Sequence, residues 1–435
     1  MDPATQTHCV LLLDLPPSAL GGIDLLSFTT TPRFRGVKNL PPGLHFVFAS
    51  SDMSLSVRHG AWFYVSPGGG APQVFIKKWS PATEELVDET SQTSVMRWKA
   101  NLGQIWKDAL TPYRQTVPSG TSEEDDAAEE SADWSSLTSR INATLLSRIC
   151  GLNPDHWSLS SSSSAAQDLE RIPGLDSSNS IINPEKELKF LPIDLKRTWR
   201  EGATGRERTD AAQDRSWALG ELVDHHCQGS NLRMREFEIL GELQFCFLMV
   251  LTLNNSSCLE QWKRLLGLLL TSRQAIRERS QLYLQLLKTL SLQLTHCASM
   301  EASMFDMHEA GGGFLKPLLR RFKKNLDEFD GKWKSDIEEE FEELQEFLQQ
   351  EFNWELDDSY VKRGMLELED GERVEMDMNG ADEDDETGEY APTVVELSAS
   401  QMKELRRSDV RQGGGARAAE EDEEDADLDD MDTRY

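Results

Sequence analysis

A chain of 435 residues carrying 76 acidic and 45 basic side chains, net charge −31, is long enough for two or three folded units. It is a poor candidate for direct phosphate binding, which needs a broad basic face. Three runs hold most of the excess: 121–133 has seven acids and no base, 366–390 has twelve acids and one Arg, and 416–435 has ten acids and two Arg. Like-charged stretches of this kind bury too little apolar surface to offset chain entropy and are expected to be disordered, leaving folded parts that are nearly neutral.

The six cysteines form no C-x-x-C pair, which suits reduced thiols in an intracellular protein. The apolar run Cys9 to Leu13 is too short, and lacks the basic lead, for a signal peptide. The most apolar window, Ile239 to Leu253, contains Glu242 and Gln244 and reads as a buried helix rather than a membrane span. A soluble protein of the cytoplasm and nucleus is expected, with no cofactor.

In chain order, the first hundred residues read as short strands: His8–Leu15, Gly43–Ser51, Gly60–Pro67 and Gln73–Ser80, punctuated by Pro and Gly. Leu86–Ile105 reads as helix. An acidic insert at 117–133 is expected as a surface loop. Ser135–Ile149 reads as one helix, with Leu137, Ile141, Leu145 and Ile149 on one face. A Ser-rich linker follows at 158–180, and Glu187–Leu195 is expected to return to the β unit as a strand. Residues 1–197 thus make a β-rich, sandwich-like N-terminal domain.

From 210 to 356 the periodicity is helical throughout. Trp262, Leu265, Leu266 and Leu269 form one stripe, with Lys263, Arg264 and Gly267 elsewhere on the wheel. Leu282, Leu286, Leu290 and Leu294 form another, and two more helices are expected at Phe314–Phe329 and Trp333–Phe352. Residues 357–435 read as a disordered acidic tail. Within it a flexible spacer, Asp357–Gly388, precedes a strand-forming element at 390–398. The fold class is α+β, multidomain.

Chemistry-bearing motifs are scarce. His225, His226 and Cys227 are consecutive, so on a helix they point about 100° apart and cannot close on one metal ion. The loop Gly68–Pro72 lacks the Lys-Ser/Thr ending of a phosphate loop. The carboxylate pairs lie mostly in solvated runs, where separated pKa values do not arise. A non-enzyme is expected.

The stretch Gly22–Val47 is better specified. It carries Gly22-Ile23-Asp24, then Phe34-x-Gly36-x-Lys38, then Pro41-Pro42-Gly43-Leu44-His45-Phe46. The Pro-Pro-Gly element reads as a tight turn that enters a hairpin. These three groups resemble the N-terminal signature of the AAR2 family of splicing factors. Gly241-Glu242-x-Gln244-Phe245, with Trp262-Lys263 in the following helix, is similar to that family's helical core. Ala391-Pro392-Thr393-Val394-Val395-Glu396-Leu397 is similar to its short tail element. The acidic insert, the Ser-rich stretch and everything beyond Ser400 depart from the pattern and fit a fungal-type member with acidic extensions.

The resemblance implies a β-rich domain followed by an all-α, VHS-like domain. It also implies assembly of the U5 small nuclear ribonucleoprotein through Prp8, whose RNase H-like and Jab1/MPN-like domains would be bridged by strand addition of Pro392, Thr393, Val394, Val395, Glu396 and Leu397. Early docking of the Brr2 helicase would thereby be prevented. The remaining signature residues are expected to be mainly structural. No membrane contact and no direct sequence-specific nucleic-acid binding are expected. An acidic chaperone that mimics nucleic acid or holds histones is the alternative.

Overall fold

The computed structural model describes residues 7–52, 56–68, 71–113, 133–152, 154, 157–169, 187–298 and 310–356, and the backbone of a separate hairpin at 362–367 and 373–378. Residues 1–357 form one unit and 358–435 another.

Two five-stranded sheets build the first half. Sheet A orders as β8 (Glu85–Asp88), β7 (Val74–Ser80), β1 (His8–Leu13), β4 (Gly36–Leu40) and β9 (Leu110–Pro112). Sheet B orders as β10 (Ser158–Ser160), β6 (His59–Val65), β5 (Gly43–Ala49), β2 (Leu20–Ile23) and β3 (Leu26–Thr29). In sheet A, β1 runs antiparallel to β4 and parallel to β7, and β9 is parallel to β4. Sheet B is antiparallel throughout.

The unbroken apolar run of β1 follows from its position, because a strand covered on both faces has no polar side. Val10 and Leu12 pack with Val47, Ala49, Phe63 and Val65 in the core between the sheets. Cys9, Leu11 and Leu13 face the other way, onto Leu102 and Trp106 of α2 (Leu102–Asp108), beside α1 (Gln92–Ala100). In β5 the same alternation sends Val47 and Ala49 inward and Phe46 and Phe48 outward, into the core shared with the helices.

That helical body comprises α3 (133–137), α4 (Ala143–Ile149), α5 (Ala166–Leu169), α6 (Gly205–Gln213), α7 (Ser216–His225), α8 (Leu232–Leu253), α9 (Ser256–Leu269), α10 (Arg273–Glu278), α11 (Ser280–Ala298), α12 (Ala310–Asp327) and α13 (Ser335–Phe352). Its centre is α8, buried on nearly every side, as the Ile239–Leu253 window suggested. Among the described residues no helix is long and apolar enough to cross a membrane.

Several local expectations are corrected. Leu86 lies in strand β8 opposite Trp79, and helix begins only after the Ser91 cap, which accepts from the Ser94 N–H. Ser135–Ile149 is two helical pieces, because the Asn142 side chain caps α4 by accepting from Leu145 N–H at 3.0 Å. Its four apolar residues are nevertheless all buried. Pro41-Pro42 carries the chain from β4 in sheet A to β5 in sheet B, so it is a crossing between layers and not a hairpin entry. Arg264 and Gly267, placed off the apolar stripe of α9, are both buried: Arg264 pairs with Asp168, and a Cβ on Gly267 would lie 2.9 Å from Leu195.

The Ser-rich stretch is also structured where it is described. Ser158–Ser160 is edge strand β10 on β6, and the Asn255 amide donates to the Ser160 and Ser163 carbonyls at 2.9 and 2.8 Å. Fully buried Asn255 also caps α9 by accepting from Cys258 N–H at 2.8 Å. Replacing Asn255 by Ala strands two buried carbonyls and a helix N-terminus, and is expected to cost about 2–4 kcal/mol in chemical denaturation. Glu187–Leu195 makes no ladder with the sheets. Its Leu188, Leu191 and Ile193 join the helical core instead, and Leu191 exchanges backbone hydrogen bonds for side-chain ones with Glu242 and Gln261.

All six cysteines are free and buried. Burial pushes the thiols of Cys9, Cys227 and Cys297 up to about 12. The native protein is therefore expected to resist thiol–disulfide exchange at pH 8 until denaturant is added, as a titration with a chromogenic disulfide would show.

In the second unit, the spacer expected to be flexible contains an antiparallel hairpin of β11 (Lys362–Glu367) and β12 (Arg373–Met378), pairing Lys362 with Met378 and Glu367 with Arg373. The acidic insert, apart from Asp133, and the element at 390–398 lie outside the described residues.

Candidate functional site

The N-terminal signature folds into a buried polar knot at the turn of the β2–β3 hairpin. Asp24 sits at φ 55° with its side chain completely buried. Its carboxylate accepts from the Phe46 backbone N–H at 2.8 Å, from the Tyr113 hydroxyl and from His45 Nδ1 at 2.7 Å. The other ring nitrogen of His45 faces the Pro41 carbonyl at 2.9 Å. With oxygen acceptors on both sides, the ring is best satisfied as imidazolium. Burial pushes the His45 pKa down, but the Asp24 charge and the hydrogen bonds to Asp24 and Pro41 outweigh it, and the net direction is up.

A histidine whose folded pKa exceeds its unfolded value of 6.5 contributes stability that is complete below pH 6.5 and fades as pH rises through the folded value. The stability gap between wild type and His45→Gln is therefore expected to be widest below pH 6.5 and to narrow above it, in urea denaturation at stepped pH. His45 and Tyr113, both bonded to Asp24, line a surface cavity of about 540 Å³ together with Pro41, Pro42, Tyr64 and Trp134. Exposed Tyr64 gives it an aromatic wall.

The rest of the N-terminal signature locks sheets together. A Cβ on Gly22 would stand 2.0 Å from the Phe48 ring, so this glycine makes room for an aromatic of the helix-facing core. Ile23 packs between the sheets. Gly36, at φ +145°, brings β4 so close to β1 that a Cβ would lie 2.0 Å from the Val10 carbonyl oxygen. Phe34 meets Phe28 edge-on at 4.9 Å. The Lys38 ammonium donates to the Trp106 carbonyl at 2.6 Å and lies over its ring, tying β4 to α2. Gly43 takes φ +138° where β5 begins.

The helical signature marks the junction between sheet B and α8. Gly241 presents bare backbone to the 138–140 turn, where a Cβ would lie 2.5 Å from the Arg140 carbonyl oxygen. Gln244, almost fully buried, accepts from Arg140 N–H at 2.9 Å and donates to the Ser136 carbonyl at 3.0 Å. Phe245 stacks on Trp62 at 6.1 Å, and Trp62 stacks on Trp134 at 5.9 Å. Trp262 donates to Gln293 at 2.9 Å inside the helical core. Lys263 is half-exposed and bonds only its neighbour Glu260 among the described residues.

Sequence reading did not single out Tyr113, Trp134, Arg148 or Gln261. Arg148 donates to Glu238 at 2.9 Å and Glu242 at 2.7 Å, and Gln261 donates to Glu242 at 2.8 Å. Burial lowers the Arg148 pKa, but the two carboxylates overcome it and hold the guanidinium firmly charged. These residues lie far apart in sequence and share no motif spacing, so only the fold assembles them. Among the described residues no cluster of His, Cys, Asp and Glu could hold a metal ion. The proposed partner strand, Pro392 to Leu397, lies outside the described residues.

Residues 6–151 match the AAR2 N-terminal domain and residues 190–357 match the AAR2 C-terminal repeat region. Relatives include the Protein AAR2 homolog of Homo sapiens, 28% identical over 320 residues, covering 66% of this chain and 74% of that protein. The Mus musculus homolog is 26% identical over 372 residues, 79% of this chain and 89% of its own. The Caenorhabditis elegans homolog is 23% identical over 367 residues, 79% and 93% respectively. With both family regions present in order, and with the signature residues at their junctions, this chain is a homologue of the AAR2 proteins and a non-catalytic member of that family.

Proposed function

We propose that this protein is an assembly chaperone of the U5 small nuclear ribonucleoprotein in pre-mRNA splicing, acting in the cytoplasm and nucleus. It binds Prp8 through the RNase H-like and Jab1/MPN-like domains and keeps the Brr2 helicase from docking early. The observation that carries the reading is the match of both family regions; the resemblance of Ala391–Leu397 to the family's short tail element supports it. We read the helical half as VHS-like.

The tail supplies the mechanism. In extended form Thr393, Val395 and Leu397 share one side of the strand, while Val394 and Glu396 share the other. An edge of this kind adds to a partner's sheet, backbone hydrogen bonds giving affinity and alternate side chains giving register. Pro392, which cannot donate, sets where pairing begins. Hairpin β11–β12 pairs Lys362 with Met378 and so returns the chain close to where it left, and in this proposal only 357–361 and 379–388 count toward the tether's length. That tether spans roughly 20 Å and presents the strand at about millimolar effective concentration once the folded body is bound.

The test is co-precipitation of the intact chain with the two Prp8 domains, separately and together. Retention of both together, with weak retention of either alone, is the expected result. Binding of histones or displacement by nucleic acid, with no Prp8 capture, would transfer the case to an acidic chaperone.

A further inference from the structure

Two arginines converge on one aromatic ring where α8 meets the 138–140 turn. The guanidinium carbon of Arg140 stands 4.3 Å from the centroid of the Phe237 ring, and that of Arg233, one turn earlier on α8, stands 5.2 Å from it. Sharing one ring holds the two cations within about 10 Å of each other, inside a Debye length at about 0.1 M salt. They therefore repel. Arg140 is held in place, because its backbone N–H donates to Gln244 at 2.9 Å and its Nη2 donates to Gln285 of α11 at 3.0 Å. Burial and then the Arg233 charge push its pKa down, and no carboxylate acts the other way. Arg233 is exposed in the first turn of α8, which contains no acid and where the helix dipole disfavours a cation. Neither guanidinium forms an ion pair among the described residues. The other arginines around this helix do: Arg148 holds Glu238, Arg235 holds Asp224 and Arg279 holds Glu236.

We infer that the Arg140–Arg233 pair on Phe237 is a binding site for a phosphate monoester carried by a protein, as phosphoserine or phosphothreonine. Charge selects this ligand. A phosphomonoester carries about −1.5 to −2 at pH 7 and has three acceptor oxygens, so it compensates both cations at once and accepts a guanidinium fork from each. A single carboxylate leaves one cation uncompensated. A polynucleotide is held by many cations along its length, and two arginines in a chain of net charge −31 offer it little. Half-buried Phe237 keeps both cations stacked before the phosphate arrives, which lowers the entropy that capture costs. Exposed Leu232 and Met234 flank Arg233 in sequence, and are apolar surface that a peptide can cover and a free phosphate ion cannot.

Phenylglyoxal modification of the intact native chain, mapped by mass spectrometry at constant ionic strength, reads each arginine separately. A short peptide with phosphoserine between leucines, at about 1 mM, should slow modification of Arg140 and Arg233 at least about threefold, as mass action gives for a Kd below about 0.5 mM. Exposed Arg206 and Arg277 should react as before, the unphosphorylated peptide should protect neither site arginine, and inorganic phosphate should protect less than the phosphopeptide. Arg233→Gln should remove most of the protection of Arg140 without lowering the melting temperature, since it takes away a like charge. Absence of protection, equal protection at Arg206, or equal protection by inorganic phosphate would overturn the inference. Stronger protection by oligouridylate at equal phosphate, or a lower melting temperature for Arg233→Gln, would do the same. Prp8 takes no part in this measurement, so failure of the proposed function would leave its result standing.

Discussion

Alanine at Val394, Val395 and Leu397, with every acid kept, is expected to lower affinity for the paired Prp8 domains by about a hundredfold or more. Each truncation removes about 1–3 kcal/mol of apolar burial, and loss of the strand also removes the avidity it confers. Affinity for either domain through the folded body should change far less. Isothermal titration with the joined and the separate domains distinguishes the two terms. Neutralising the acids at 382–386 while retaining the strand is the matched control. If that variant lost Prp8 capture and the strand variant kept it, strand addition would be refuted.

Gly241→Ala should destabilise the protein, against the usual direction of the substitution. An exposed glycine in a helix interior ordinarily gains about 1 kcal/mol on replacement by Ala. At Gly241 the added methyl would stand 2.5 Å from the Arg140 carbonyl oxygen and 3.1 Å from Leu145. Backbone cannot yield as a flexible side chain does, so α8 must separate from the 138–140 turn that Gln244 holds, costing about 1–3 kcal/mol. Gly103, in α2, supplies the internal standard: a Cβ there would meet nothing within 4 Å, and Gly103→Ala should stabilise. Opposite signs in urea midpoints would place the family glycine at a packing contact. Equal signs would show that the junction is slack.

Much of the architecture was legible because burial writes itself into periodicity. Strands β1, β5, β6 and β7 and helices α8, α9, α11, α12 and α13 fall where apolar spacing put them. The misreadings have one physical origin: periodicity reports that a face is buried, not what buries it. Leu191, Ile193 and Leu195 alternate like a strand, yet they pack into the helical core and pair with no strand among the described residues. The serines at 158–163 look like linker by composition, but their backbone, not their side chains, meets β6 and Asn255. Leu137 to Ile149 keeps a buried face although the helix is interrupted, because Asn142 gains more as a cap than as a helix interior residue. At the site, the signature glycines were visible but their steric reasons were not, since Phe48, Val10 and Arg140 are brought to them only by tertiary contact.

The aromatic face of sheet B has a consequence for synthesis. Phe46 and Trp62 emerge early from the ribosome, whereas Phe245, which covers them, follows almost two hundred residues later. At roughly 5–20 residues per second the nascent sheet waits some ten to forty seconds with this face wet. A growing chain of this protein is thus a natural client for holdases, and a premature stop before α8 should yield an insoluble fragment rather than a smaller working piece.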